Sequence, residues 1–485
     1  MKKKIAVAKG DGIGPEIMDA VLRIFEANDV QLEYDFVEMG KAYFEAGHST
    51  GMTDTARNTI EGTGILFKGP METPKGKGVK SINVTARKVW NTYANQRDFR
   101  TLNGVNTVFS NAGIRVNLTV VRENIEDTYG GIEHMLTNDV AVARRIITRP
   151  GSAQVITFAF EMARRKGAKK VACGHKANIM KLTDGLFLET FYEIAKNYPE
   201  IEASDIIVDD LCMKLASRPE MFEVLVLTNL QGDIVSDLCA GLVGGLGFAP
   251  SANVGDNISI FEAVHGTAPD IAGKNIANPT ALLLSGVSML RYLGLTENAA
   301  AIENALLYTL EQGIHTGDFG DKNSQAENTS GFAEAIITNL GKVPQQGGVE
   351  AKSNMDIAAE SVSRPEKNIF TETAPDIVEE IMGVDVFIRS NMQPADLAAV
   401  AQAQLTGKFK LVMISNRGTQ IWPTGSVFTE LVNQFRLRLE KTEGEISQQD
   451  VFIQAAELSE KLEICSLEML KKFGDRLGYS LAQGQ

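Results

Sequence analysis

NLQGDIVSDL, Asn229–Leu238, and FEAVHGTAPDIAGKNIANP, Phe261–Pro279, place two kinds of chemistry about thirty residues apart. The first follows EVLVLTN, from Glu223, which reads as a buried strand, and Gly232 suits a strand-to-helix turn. If the segment beyond is helical, Asp233 and Asp237 are four residues apart and their carboxylates share one face. Like charges held that close repel unless a cation lies between them. Hard oxygen ligands with incomplete protein coordination suit Mg²⁺ or Mn²⁺ better than zinc. In the second segment, His265-Gly266 with small neighbours makes a loop whose backbone can approach a phosphate closely. Asp270 adds a carboxylate able to accept both hydroxyls of a ribose, so the arrangement fits a dinucleotide.

Working outward, 485 residues exceed one ordinary core, and two or three domains are expected. The apolar content is that of a soluble globular chain. A net charge of −13 argues against nucleic acid, which needs an extended basic surface. It also means that an anionic substrate must find local positive charge, for which Arg87, Arg97, Arg122 and a metal are the candidates. Cys173, Cys212, Cys239 and Cys465 are scattered without a C-x-x-C, as in a reducing compartment. The basic N-terminus reaches Gly10 too soon for a signal sequence, and no long uncharged apolar run suggests a membrane span. A cytoplasmic protein is expected.

NLQGDIVSDL, GGLGFAPSANVGD (Gly244–Asp256) and HGTAPDIAGKNIANP (His265–Pro279) resemble the metal and cofactor segments of the β-decarboxylating isocitrate/isopropylmalate dehydrogenases. The likeness covers residues 1 to 345 closely and extends into the C-terminal region of a longer-chained, isocitrate-oxidising subgroup. It implies an α/β two-domain fold with a β-rich clasp, distinct from a Rossmann fold, plus a small α+β C-terminal domain. A large cofactor domain is expected over 1–92 and 244–342, and a small substrate and dimerisation domain over 93–243. The clasp falls at about 127–149, a linker at 343–381 and the last domain at 382–485.

Other segments are read beside this likeness. IAVA, Ile5–Ala8, then GDGIGPE, Gly10–Glu16, predict strand, glycine turn and a helix with Pro15 near its start. The glycine pattern is not that of a dinucleotide fingerprint, so Glu33 and Asp35 are not ribose ligands. The resemblance puts this loop beside the cofactor. In SINVTAR, Ser81, Asn83 and Arg87 can converge on a carboxylate from the first turns of a helix, or Ser81 can simply cap that helix. In the family, serine and asparagine here hold the carboxylate that distinguishes isocitrate, whereas isopropylmalate enzymes carry apolar residues. Arg97 and Arg122 alone would be ordinary ion-pair formers; in the matching motifs, with Arg87, they can grip carboxylates bidentately.

By the same resemblance, Lys176 reaches the neighbouring subunit's site and assists proton removal from the hydroxyl, although taken alone it reads as a surface lysine. Tyr129 supplies a proton to C3, and Asn178 contacts substrate or nicotinamide. Asp209, at the end of the IIVDDL strand, matches a third metal carboxylate delivered from the partner. Glu72 and Thr73 lie beside the nicotinamide, and Gly266, Thr267, Ala268, Ile271 and Asn278 complete the cofactor segment. The implied activity is oxidative decarboxylation of isocitrate to 2-oxoglutarate and CO₂, a tricarboxylic acid cycle reaction, by a homodimer with shared sites. Asp270-Ile271 replace the lysine and tyrosine with which NADP-dependent relatives hold a 2′-phosphate, so NAD is the expected cofactor. A sister dehydrogenase for homoisocitrate, isopropylmalate or tartrate, a non-catalytic regulatory subunit, and a metal-dependent phosphohydrolase are the alternatives.

Downstream, ALLLSGVSMLRYL and AAAIENALLYTLEQG carry helical periodicity with a stop at Gly313. GVDVFIRSN and FKLVMISNRG read as strands, with helices expected at Pro394–Leu405 and Gln449–Phe473. The C-terminal domain is expected to make oligomer contacts.

Overall fold

The computed structural model describes residues 2–72, 81–320, 325–351, 377–425 and 428–481. They fall into two compact units, Met1–Gly130 with Ile146–Glu366, and Gly131–Arg145 with Lys367–Gln485. The hairpin in the region expected to form a clasp, Glu133–Thr137 with Val140–Ala143, therefore groups with the C-terminal region rather than with residues 93–243.

The first unit is built on a ten-stranded sheet. Its order is Leu32–Phe36, Lys3–Ala8, Ile65–Lys68, Ser259–Ala263, Pro250–Val254, Ala94–Arg100, Asn117–Glu123, Val224–Leu227, Lys170–His175 and Glu202–Ile207. Both flanks pair in parallel, whereas the four middle strands from Ser259–Ala263 to Asn117–Glu123 are antiparallel. The inner parallel strands Ile65–Lys68 and Val224–Leu227 are buried along their whole length, whereas the edge strands Leu32–Phe36 and Glu202–Ile207 carry charged residues. Along Lys3–Ala8, Ile5 and Val7 join one core and Ala6 and Ala8 another, as the two-residue strand period requires. Helix Gly14–Ala27 begins with Pro15 in its first turn, and Ser81 caps Ile82–Val89 by accepting from the Val84 N–H at 3.5 Å. Thr280–Tyr292 and Thr296–Glu311 are the expected core helices, the first followed by Gly294 and the second by Gly313, both in the left-handed region.

Two local expectations change. Helix Asn229–Leu242 starts before Gly232, so that glycine is no turn. A Cβ there would stand 2.8 Å from Arg122 Cγ, and its absence lets the helix lie against the strand that carries Arg122. Asp209 and Asp210 sit in the first turn of helix Val208–Ser217, after the strand has ended at Ile207.

The second unit has a six-stranded sheet ordered Thr419–Trp422, Phe409–Asn416, Gln434–Lys441, Glu379–Arg389, Glu463–Phe473 and Arg476–Leu477. Helices Pro394–Ala403 and Gln448–Ser459 supply Leu397, Ala401, Val451 and Leu458 to a core shared with Val384, Val386 and Ile388. Between those strand residues, Asp385 pairs bidentately with the Arg438 guanidinium. The expected helix over Gln449–Phe473 thus ends at Ser459, and Glu463–Phe473 is a strand. One register shift against Glu379–Arg389 puts an extra residue, Cys465, into this strand, so Ile464 and Leu467, three apart as on a helix, both pack on the core, and Met469 follows at the ordinary strand spacing. Much of the expected linker lies outside the described residues. Among the described residues no helix is long and apolar enough to cross a membrane.

Candidate active site

Helix Asn229–Leu242 faces the middle strands, and this contact gathers the arginines. Arg97 donates through Nε to Asn95 Oδ1 (2.8 Å) and through Nη1 to Ser236 Oγ (2.6 Å), and lies 3.6 Å from both Asp233 and Asp237. Arg122 forks onto Asn229 Oδ1 at 2.7 and 3.0 Å and pairs with Asp233, while its guanidinium stacks 4.8 Å from the Tyr129 ring centre. The Tyr129 hydroxyl donates to the other Asp233 oxygen at 2.6 Å.

These guanidiniums are buried and mutually repulsive. Burial, and then the charges of Arg122 and Arg87, lower the Arg97 pKa to about 10; burial and Arg87 likewise lower that of Arg122. Burial works to raise the Asp233 pKa, but Arg122, Tyr129 and Arg97 outweigh it and hold it below the usual range. For Asp237, burial wins over Arg97 and the pKa is raised, with the Asp233 charge adding to the effect. Tyr129 is pushed up by burial and by its bond to Asp233, so the phenol keeps its proton.

Arg87 belongs to a second buried group that adjoins the first. Its Nη2 lies 3.2 Å from Glu262 Oε1, and Glu262 also pairs with buried Lys68 and accepts from Asn253 Nδ2 at 2.7 Å. Burial opposes the Glu262 charge, yet the two cations and Asn253 hold its pKa far below the ordinary value. Asn253 and Asn95 are joined at 3.0 Å, so one hydrogen-bonded chain links Lys68 and Arg87 to Arg97 and the acidic helix. Lys68, Glu262, Asn253, Asn95 and Asn229 were not singled out from sequence. The available signal was a charged residue inside SIFEA and ILFK, runs otherwise apolar enough to be buried, where an unpaired charge is untenable.

A cavity of about 100 Å³ opens between these groups, lined by Asn83, Arg87, Arg97, Glu262, His265 and Gly266. Asn83 Oδ1, Arg87 Nε and His265 Nε2 are buried there without a partner among the described residues. Burial lowers the His265 pKa, so the ring is neutral, and its Nδ1 is 3.0 Å from the Gly266 carbonyl. Orphaned donors and acceptors around one cavity are the mark of a site that a polar ligand completes.

The segment His265–Pro279, expected to take the cofactor, is held from behind. Ile13 N–H donates to the Thr267 carbonyl (3.0 Å), Asn275 N–H donates to Glu16 (2.9 Å), and a Cβ on Gly12 would strike Thr267 O at 2.1 Å. Ala268 is left-handed at φ 39°, and Asp270 and Ile271 form the 3₁₀ turn after it, with Asp270 and Lys274 exposed. Asn278 turns inward, donating to Asp318 at 3.1 Å and accepting from Thr280 N–H at 3.0 Å. Glu72 pairs with Lys41 at 2.7 Å, and Thr73 lies outside the described residues.

Three expected residues stand together elsewhere. Lys176 pairs with Asp209, and exposed Asn178 lies in the turn beside them. Among the described residues no three metal-binding side chains of one chain converge, so Asp233 and Asp237 are not joined by Asp209 here.

The chain belongs to the isocitrate/isopropylmalate dehydrogenase family, whose model matches residues 4–336; that of the bacterial isocitrate dehydrogenase C-terminal domain matches 379–485. It is 45% identical to the isocitrate dehydrogenase [NADP] of Thermus thermophilus over 489 residues, covering 100% of this chain and 96% of that one. It is 38% identical to the NADP-named enzyme of Rickettsia conorii over 99% of both chains. A mitochondrial isocitrate dehydrogenase [NAD] regulatory subunit of Dictyostelium discoideum is 46% identical but covers only 70% of this chain. Among solved structures, a Thermus thermophilus protein superposes with a TM-score of 0.92 at 44% identity, over 100% of this chain and 96% of its own. The isocitrate dehydrogenase of Methylococcus capsulatus gives 0.66 at 46%, over 70% of this chain and 99% of its own.

These relatives overturn the expectation of NAD, since those that match the whole chain carry NADP in their names. One carboxylate at Asp270 does not decide the cofactor. On an exposed turn its repulsion of a phosphate is screened by water and salt, and Lys274 lies four residues away on the same rim.

Proposed function

We propose that this chain oxidises and decarboxylates isocitrate, using NADP and a divalent metal ion. The observation that carries the substrate class is the trio of crowded guanidiniums, Arg87, Arg97 and Arg122, whose mutual repulsion a polyanion would relieve. Asn83 and Ser81 lie at the start of the helix that delivers Arg87, where they add hydrogen bonds to one carboxylate.

Asp233 and Asp237 fit a hard cation: they are spaced on one helix face, and the raised Asp237 pKa marks a carboxylate short of positive charge. The partner subunit's Asp209 would complete the set. Held by these carboxylates, a divalent metal would supply Lewis acidity toward the substrate's alcohol oxygen, and bound NADP would supply the hydride acceptor. The arginines orient the substrate and neutralise its carboxylates. Tyr129, protonated at neutral pH, is suited to hand a proton to C3. The partner subunit's Lys176 assists removal of the hydroxyl proton. Neutral His265 and the Gly266 backbone border the cavity on the cofactor side.

The test is the reduced-nicotinamide absorbance on mixing isocitrate, NADP and Mg²⁺, run beside 3-isopropylmalate, homoisocitrate and tartrate, with and without a chelator. Turnover confined to isocitrate and abolished by the chelator is expected; faster turnover of another acid, or full turnover without metal, overturns the reading. Sharing of sites is tested by mixing Lys176→Met and Asp233→Asn chains. Each is inactive alone, and a mixed dimer regains one intact site only if Lys176 serves the opposite chain.

A further inference from the structure

Asp184 is fully buried in the first turn of helix Thr183–Ala195, and no step above uses it. Its Oδ2 accepts the Lys176 backbone N–H at 2.6 Å and the Gln231 side-chain amide at 2.9 Å. Gln231 belongs to helix Asn229–Leu242, two residues before Asp233, and is itself buried. One carboxylate oxygen therefore ties the turn bearing Lys176 to the helix bearing the acidic pair.

The same turn is fixed at a second point. His175 Nδ1 accepts from the Ala177 N–H at 3.0 Å, which leaves the ring proton on Nε2, where it faces Asp205 at 2.9 Å. Asp205 is also bonded to the Tyr192 hydroxyl. Lys176 thus leaves a backbone clamped on both sides, while its own side chain pairs with exposed Asp209. Clamping a flexible lysine at its root, rather than at its tip, sets where the ammonium can reach and leaves it free to exchange partners.

We propose that Asp184 is a positioning residue that presents Lys176 to the opposite subunit's site and couples that presentation to its own chain's acidic helix. The inference rests on the shared-site reading above. A displacement of helix Asn229–Leu242 on ligand binding at Asp233 and Asp237 would pass through Gln231 and Asp184 to the Lys176 turn, and so to the other site of the dimer. The carboxylate is suited to this because a single oxygen holds both donors, so neither can move without the other.

The experiment is subunit mixing with Asp184→Asn. Alone, this variant is expected to lose about ten- to a hundredfold in kcat, the scale of a misplaced reacting group, with the KM for isocitrate changed less than about threefold. Mixed with Asp233→Asn chains it should regain activity, because its defect travels with Lys176 to the other chain's site. A defect confined to its own chain's acidic helix would give no regain, and that result overturns the proposal, as does wild-type kcat. Should Asp184→Asn not fold, Gln231→Met keeps the volume and removes the donor to Asp184. It is expected to leave most of kcat but to abolish any dependence of one site's rate on ligation of the other; unchanged dependence overturns the coupling. The shared-site reading fails separately, in the Lys176→Met and Asp233→Asn mixture, which contains no change at Asp184.

Discussion

Gly232→Ala separates stability from substrate binding. Within a helix, alanine is favoured over glycine by about 1 kcal/mol. The new Cβ would lie 2.8 Å from Arg122 Cγ, 2.9 Å from its Cβ and 3.3 Å from its Cα. Carbon atoms prefer roughly 3.5–4.0 Å, so the closest contact falls short by more than about half an ångström. The contacted atoms are the root of the arginine, fixed by the strand Asn117–Glu123, and cannot swing away as a side-chain tip could. Helix and strand must part, at an overpacking cost of about 1–3 kcal/mol. The net is a destabilisation of roughly 0–2 kcal/mol, and the melting temperature should fall by no more than a few degrees. Arg122, however, loses register with Asn229 and Asp233. A charge-assisted hydrogen bond contributes about 1.5–3 kcal/mol, so the KM for isocitrate should rise roughly ten- to a hundredfold. Initial rates over a range of isocitrate at saturating NADP and Mg²⁺, with a thermal melt of the same sample, measure both. A more stable protein with wild-type KM would refute the claim that this glycine exists to admit Arg122.

Two further outcomes are expected. Burial raises the Glu123 carboxyl to about 7 from an ordinary 4.5, so the folded chain holds this proton longer than the unfolded one. Its stability contribution is present below the unfolded value and lost as pH climbs through about 7; melts of Glu123→Gln against the parent should favour the variant more at pH 8 than at pH 5. Tyr129→Phe removes the 2.6 Å donor to Asp233, and its kcat should fall by about 10²–10⁴ while KM moves far less, as read in initial-rate assays.

Much of the fold was legible because its strands are short apolar runs and its helices carry recognisable starts, as at Pro15 and Ser81. Reading failed where tertiary pairing overrides local spacing. Glu463–Phe473 imitates helical spacing where the extra residue Cys465 sets Ile464 and Leu467 three apart on one face, and Gly232 imitates a turn although its missing side chain serves packing. At the site, Asp233, Asp237 and the arginines were visible as chemistry near known motifs. The chain from Lys68 through Glu262 and Asn253 was not, since its members lie on strands far apart in sequence and only the sheet order makes them neighbours. The pairing of Lys176 with Asp209 was hidden for the same reason.

The loop proposed to take the cofactor is already wound at Ala268 and braced through Thr267 and Asn275. A nucleotide arriving there spends none of its affinity on ordering backbone. Scaffold and rim are consequently separable: Asp270 and Lys274 stand on the outer edge and can be rewritten without disturbing the braces beneath. On the function proposed above, replacements at this outer edge could alter nicotinamide-cofactor preference and leave the arginine cluster untouched.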